Sequence, residues 1–241
     1  MHNKLAALPL FFVAAAAFAQ VSEKPVDAVI PVVGSTHGQS NAFFKTELQL
    51  HNASDASAAG WLILHPQETL LRYDLPARAT IAYDDVVAAM GSTGLGSLDI
   101  LVDRGELPEA VARAYDDQPD GTTGATVPRV RNTEALVVGS SATLIAPRDF
   151  TRYRFNLGIR TLESGATIEF VVRDASGTER FRRMRAFAAV AFEQNPVDVF
   201  LGTTLQATDS IEVNVLGGNA VVYGSMIDNA TNDSSLQVPR R

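Results

Sequence analysis

Three groups of residues in this chain have side chains and spacings that could do chemistry. The first is Asp116-Asp117-Gln118-Pro119-Asp120-Gly121, where carboxylates cluster ahead of a glycine. Calcium is bound by several oxygens at once, and acids around a sharp glycine turn supply some of them. The spacing does not fit an EF-hand loop, and no Glu follows to close one. Asp and Asn in such a run also bond to their own backbone. A turn is therefore the expected role of Asp116, Asp117 and Asp120, with calcium as the weaker alternative. The stretch Ile227 to Asp233 is similarly rich in oxygen ligands.

The second group is Arg180-Phe181-Arg182-Arg183-Met184-Arg185. On a strand, Arg183 and Arg185 share one face and Arg182 takes the other. Charges on an edge strand deter edge-to-edge pairing, and this is the preferred reading. The alternative is a surface for an anionic partner, including a strongly acidic first half of the chain. The third group is the histidines. Beyond the first few residues these are His37, His51 and His65, with no His-x-His or His-x-x-x-His spacing, so they read as surface or strand-end residues. No Gly-x-Ser-x-Gly elbow is present, and Gly224-Ser225 lies in an expected strand with no visible base. Gly91 to Gly96 lacks the Lys of a phosphate loop. Asp84-Asp85 reads as a helix cap. The sequence therefore points away from an enzyme, and it assigns no catalytic residue and no cofactor.

Composition narrows the classes further. The 241 residues are 46% hydrophobic and 20% charged, which fits a folded globular chain. No cysteine occurs, so disulfides, thiolate metal sites and thiol nucleophiles are excluded. A net charge of -7 argues against a general nucleic-acid binder. Acids far outnumber bases in residues 20–127, and the two are nearly balanced in 128–241.

The first residues read as an export signal. Lys4 supplies the charge, Leu5 to Phe18 the apolar run, and Ala17-Phe18-Ala19 the small residues of a cleavage site. That run is too short to span a bilayer. Cleavage near Ala19 and a secreted or periplasmic location are expected, with no membrane span afterwards.

The remainder reads as two copies of one plan. Val33-Gly34-Ser35 is echoed by Val138-Gly139-Ser140, and Phe44 to Leu50 by Tyr153 to Ile159. Asp84 to Gly91 is echoed by Asn195 to Gly202, Ser97 to Val102 by Ser210 to Val215, and Ala110 to Pro128 by Val221 to Pro239. Lys45 to Leu50 and Arg154 to Arg160 alternate with the period of a half-buried strand. Trp61 to His65 and Thr167 to Arg173 are denser and suit strands covered on both faces. Turns are expected at Asp55-Ala56-Ser57, Ala175-Ser176-Gly177 and Leu216 to Asn219. Each copy carries one short helix: Asp84 caps the first and Gly91 stops it, while Asn195 caps the second, Pro196 opens it and Gly202 stops it. The expected fold is all-β, with two tandem antiparallel β-sandwich (Ig-like) domains over 20–130 and 131–241. A polar linker is expected at Arg129 to Thr133.

Several segments carry a resemblance. Ile30-Pro31-Val32-Val33-Gly34, Phe44 to Leu48 with His51-Asn52, Tyr83 to Val87, Phe155 to Ile159 and Tyr223 to Asp233 resemble a family of uncharacterised secreted bacterial proteins built from tandem Ig-like modules. The resemblance implies no catalytic residues. The expected function is non-enzymatic: binding, adhesion or structural display at the cell envelope, toward a protein or glycan. Carbohydrate recognition is the alternative, with Trp61, Tyr73, Tyr83, Tyr115 and Tyr153 as candidate stacking rings. A cryptic hydrolase ranks third, to be revived by a cleft gathering a His with an acid or Ser.

Overall fold

The computed structural model describes residues 24–39, 42–119 and 121–241. The signal segment and Asp120 lie outside the described residues. The described chain is all-β, in two antiparallel sheets.

The first sheet is formed by β1 (Ala28–His37), β2 (Phe43–His51), β3 (Ala58–His65), β4 (Thr69–Leu75), β5 (Thr80–Tyr83), β6 (Gly94–Arg104), β7 (Glu109–Gln118), β8 (Gly121–Val127) and β9 (Val130–Arg131). Its order is β4-β3-β6-β1-β2-β7-β8, with β5 added to β2 and β9 to β1. Strand β1 is the fold line. It pairs with β6 from Ala28 to Ser35 but reaches β2 only through Thr36 and His37. Two leaves therefore face each other, and the alternating residues meet between them: Leu62 and Leu64 from β3, Leu98 and Ile100 from β6, Leu48 and Leu50 from β2. Burying such side chains contributes about 1.5–3 kcal/mol each. Helix α1 (Val86–Ala89) closes one end with Val86 and Val87. Its N-cap is Asp85 and not Asp84: the Asp85 carboxylate accepts from Ala88 N at 3.0 Å and from the Ser35 hydroxyl at 2.7 Å.

The second sheet comprises β10 (Leu136–Val137), β11 (Ser141–Ile145), β12 (Tyr153–Arg173), β13 (Glu179–Phe187), β14 (Phe192–Pro196), β15 (Ser210–Asp228) and β16 (Ser234–Gln237). Strands β12 and β15 are long and pair along almost their whole length, with register breaks at Thr161/Ala166 and Thr167/Ile168. The turn expected at Leu216 to Asn219 is thus a bend inside β15. Gly218 (φ 68°) and Gly165 (φ 66°) permit it: a Cβ on Gly218 would lie 2.0 Å from the Gly165 carbonyl oxygen. Phe155, Leu157, Ile159, Ile168 and Phe170 of β12 fill this half's core together with Phe200 and Leu201 of α2 (Val197–Leu201). Pro196 is the N-cap of α2 rather than its first residue, and the Asn195 amide turns to Glu193 at 3.1 Å instead of capping. Gly202, in the left-handed region, ends it as expected.

The two halves press on each other. Val26, Val29, Val130, Ala135, Leu162 and Val221 form an apolar cluster at their junction, and Tyr223 of β15 belongs to the first half's core. Residues Arg129 to Thr133, expected as a linker, include β9 paired to β1 and lead into a 3-10 turn at Asn132–Glu134, with Val130 buried.

Candidate binding site between the two halves

The alternation that sends Leu98 and Ile100 into the core sends Ser97, Asp99 and Leu101 of β6 to the opposite face. On β3, His65 stands across from Ser97 and Ile63 across from Asp99. On β12, Leu157 and Ile159 point into the second core, so Arg160 points away from it, toward the first half. The result is a buried polar cluster at the junction. Arg160 Nη2 donates to Asp99 Oδ2 at 2.5 Å, and His65 Nε2 lies 3.1 Å from the same oxygen. Side-chain exposures are 1% for Arg160, 7% for Asp99 and 8% for His65. Arg160 also donates to the Thr161 carbonyl. A buried ion pair is strongly destabilised when one partner is removed, by about 3–5 kcal/mol.

A cavity of about 290 Å³ opens beside this cluster. His65, Asp99 and Arg160 line it together with apolar Val26, Ile63, Leu101, Leu162 and Val190. Exposed Lys24, Glu68 and Glu163 stand at its mouth. Several polar atoms in and near the cluster are enclosed without partners among the described residues: Asp99 Oδ1, Arg160 Nε and Ser97 Oγ. Native proteins rarely leave such groups unmatched.

The cleft combines a His with an acid, the arrangement that bears on hydrolase chemistry. An activated nucleophile needs a hydrogen bond to its base and room for a substrate. Ser97 faces His65 across the strands, yet its Oγ makes no hydrogen bond and the residue is fully enclosed. His65 turns Nε2 to Asp99, a pairing that also orients catalytic histidines, so the cleft does gather a His with an acid; what it lacks among the described residues is a hydrogen bond from Ser97 to that ring.

The sequence-derived candidates lie elsewhere. Asp116 accepts from Phe43 N at 2.8 Å, from the Gln118 amide at 2.8 Å and from the Asn232 amide at 3.2 Å, and Asp117 pairs with Lys45 at 2.7 Å. Donors already occupy the Asp116 oxygens that a cation would need. Among the described residues, no group of three or more His, Asp or Glu side chains is placed to hold a metal ion. In the matching stretch, Asp228 accepts from Ala230 N and Arg152, which holds its carboxyl below the usual range, and Asn229 and Asn232 accept from Arg154.

The arginine group lies on β13, which pairs only with β12 and forms the edge of its sheet. Each arginine is committed internally. Arg180 pairs with Asp209, Arg182 with Glu169 and Glu179, and Arg185 with Glu193. Arg183 donates to the Leu201 carbonyl at 2.6 Å, at the C-terminal end of α2, and Arg185 also stacks 4.5 Å from the Phe200 ring centroid.

The candidate stacking rings are dispersed. Tyr73 is enclosed and donates to the Leu101 carbonyl, and its hydroxyl is raised far above its ordinary value by burial. Tyr115 bonds to the Asp84 carbonyl, while Tyr83 packs on the first core. Tyr153 carries Arg152 over its ring. Trp61 is half-buried on the outer face of β3, with Arg72 5.1 Å over its ring, Nε1 donating to Asp103 and its body packed near Ile63 and Leu101. Of the histidines, His51 bonds to Thr80 at the surface and His37 meets Phe43 edge-on. The expectation of a surface or strand-end role holds for these two. His65 ends its strand as expected but is buried.

No family model matches the chain, and no curated protein matches it. Among solved structures, a variant of Bacillus subtilis oxalate decarboxylase is similar at 10% identity over 89% of this chain and 68% of that one, with a TM-score of 0.23. A second structure of the enzyme aligns over the same shares at 11% identity and a TM-score of 0.22. At that level the likeness assigns neither fold nor chemistry.

Proposed function

We propose that this chain is an exported, non-enzymatic β-sandwich pair that binds a component of the cell envelope, its two halves acting as one body. The observation that carries the reading is the cavity at the junction, where the His65–Asp99–Arg160 cluster meets apolar walls and a charged rim. Concave sites with a few convergent polar groups on a mostly apolar lining, placed between domains, are the usual form of small-ligand sites. The other side chains with chemical potential are spent on internal contacts, which favours binding over catalysis.

The two-module reading has support in the pairing pattern, while the Ig-like label rests on the sequence resemblance alone. In the first half β1 pairs β6, β2 pairs β5 and β7, β3 pairs β4 and β6, and β7 pairs β8. In the second half β11 pairs β15, β12 pairs β13, β14 and β15, and β15 pairs β16. Treating β12 as β2 joined to β3, and β15 as β6 joined to β7, brings the two schemes into step. Export rests on the Leu5 to Ala19 signal pattern. Among the described residues, no helix is long and apolar enough to cross a membrane.

The test is secretion followed by binding and turnover. The exported chain should be retained on envelope glycan or protein fractions and leave them chemically unchanged. Turnover of any envelope component that disappears in a His65→Gln variant would overturn the non-enzymatic reading.

A further inference from the structure

We infer that a second cavity between the halves binds a small organic acid, medium-chain or aromatic, with its carboxylate on Arg154 and its apolar body against the cavity wall. This site goes beyond the binding reading above, because it shares no lining residue with the His65–Asp99–Arg160 cavity.

The strand pattern builds it. Phe155 and Leu157 of β12 fill the second core, so Arg154 and Asn156 point away from that core, toward the first half. Their partners on β15, Ile227 and Ser225, share that face. Opposite stands the place where the leaves of the first half part, since β1 meets β2 only at Thr36 and His37. The gap is a cavity of about 250 Å³. Val32, Phe44, Leu95, Ile227 and Leu236 supply its apolar wall, and Asn156, Gln194 and Ser225 add neutral polar groups. An apolar cavity of about 150 Å³ admits benzene, so this one has room for one ring, or for a chain of about six to eight carbons, together with a carboxylate.

Charge selects an anion. The chain carries 27 acids and 20 bases, yet the ionisable side chains lining this cavity among the described residues are His37, Lys45 and Arg154, with no Asp or Glu. Lys45 is paired with Asp117 at 2.7 Å, which leaves Arg154 as the charge that counts. Arg154 is half-buried, and its Nη1 and Nη2 donate to neutral partners, the side-chain oxygens of Asn229 and Asn232, at 3.3 and 3.0 Å. The carboxylates that act on it from further off are turned to other donors. Asp116 accepts from Phe43 N and from the Gln118 and Asn232 amides, and Asp228 accepts from Ala230 N and Arg152. Burial outweighs their attraction and holds the Arg154 guanidinium below its ordinary value. A carboxylate in the cavity supplies the counter-charge, and a guanidinium fork matches its two oxygens. One cation beside apolar walls suits a singly charged organic acid, whereas a phosphate brings charge and hydration that such walls do not meet.

The experiment titrates the exported chain by calorimetry with hexanoate, octanoate and benzoate, beside their neutral amides, acetate and inorganic phosphate. Hydrogen–deuterium exchange locates the bound ligand. Saturable binding of at least one of the three acids is expected, with protection of residues 32–37, 44–46, 154–156 and 225–227. The matching amide, which lacks the charge, should bind about tenfold or more weaker, and so should acetate and phosphate, which lack the apolar body. Arg154→Met should weaken the acid about tenfold or more. If that variant fails to fold, the comparison of acid with amide on the unaltered chain still tests the charge. No saturable binding by any of the three acids, or protection confined to other segments, would overturn the inference. So would an amide, acetate or phosphate bound as tightly as the acid, or a folded Arg154→Met chain of unchanged affinity.

Discussion

Arg160 of β12 reaches across the junction to Asp99 of β6, so the least exposed cation in the second half is held by an acid of the first, at 2.5 Å. Neither residue can leave the other without stranding a buried charge. Arg160→Met alone should destabilise the chain by about 3–5 kcal/mol, while the double change Asp99→Leu with Arg160→Met should restore most of that loss. Urea unfolding of the four proteins in the cycle measures it.

The bend in β15 gives a sharper contrast between neighbours. A Cβ on Gly218 meets the Gly165 carbonyl at 2.0 Å from a backbone at φ 68°, whereas one on Gly217 has nothing closer than 3.5 Å. Gly218→Ala should cost more than about 2 kcal/mol and Gly217→Ala less than about 1. Thermal melts of the two variants test this.

Capping separates two adjacent acids. Asp85→Ala removes the bond to Ala88 N and the contact from Ser35, and should cost about 1–2 kcal/mol. Asp84→Ala should lie within about 0.5 kcal/mol of the parent, since a surface change away from a cap is nearly silent. Denaturant midpoints of the two variants separate the roles.

Acid should weaken the fold in a defined direction. Backbone donors at Ala230 and the Arg152 guanidinium hold the Asp228 carboxyl below its ordinary value, and Lys24 and Arg72 do the same for Asp103. A carboxyl whose folded value is depressed contributes its stability above the unfolded value and loses it as pH falls through the folded one. The melting temperature should therefore hold near neutrality and fall progressively below about pH 4. Asp228→Asn should flatten part of that fall.

Calcium should do nothing measurable to the melting temperature. The Asp116 oxygens are filled by N–H donors and Asp117 by Lys45. A shift on adding calcium, reversed by chelator, would contradict this assignment.

The strands were legible wherever one face is wet. Leu48 and Leu50 alternate with Glu47 and Gln49, and the buried positions follow that alternation. The joining of predicted strands into β12 and β15 was not legible, because glycines that bend a strand look the same in sequence as glycines that end one. The sequence places each helix cap one residue early, since Asp84-Asp85 and Asn195-Pro196 each offer two candidates and only three-dimensional partners choose between them. The site was missed for a related reason. Asp99 sits inside the apolar run Leu98 to Val102, and Arg160 ends an alternating strand. A charge within an apolar strand is the signal of a buried partner, but nothing in the sequence joins residues 61 positions apart.

Whether the halves form one body around the Asp99–Arg160 pair is open to a direct measurement. Equilibrium unfolding can be followed by Trp61 fluorescence in the first half and by amide exchange of β12 and β15 in the second. The shared packing of Tyr223, Val29, Leu162 and Val221 predicts a single transition with coincident midpoints from both probes. Two separate transitions, with one half melting while the other keeps its protection, would contradict it.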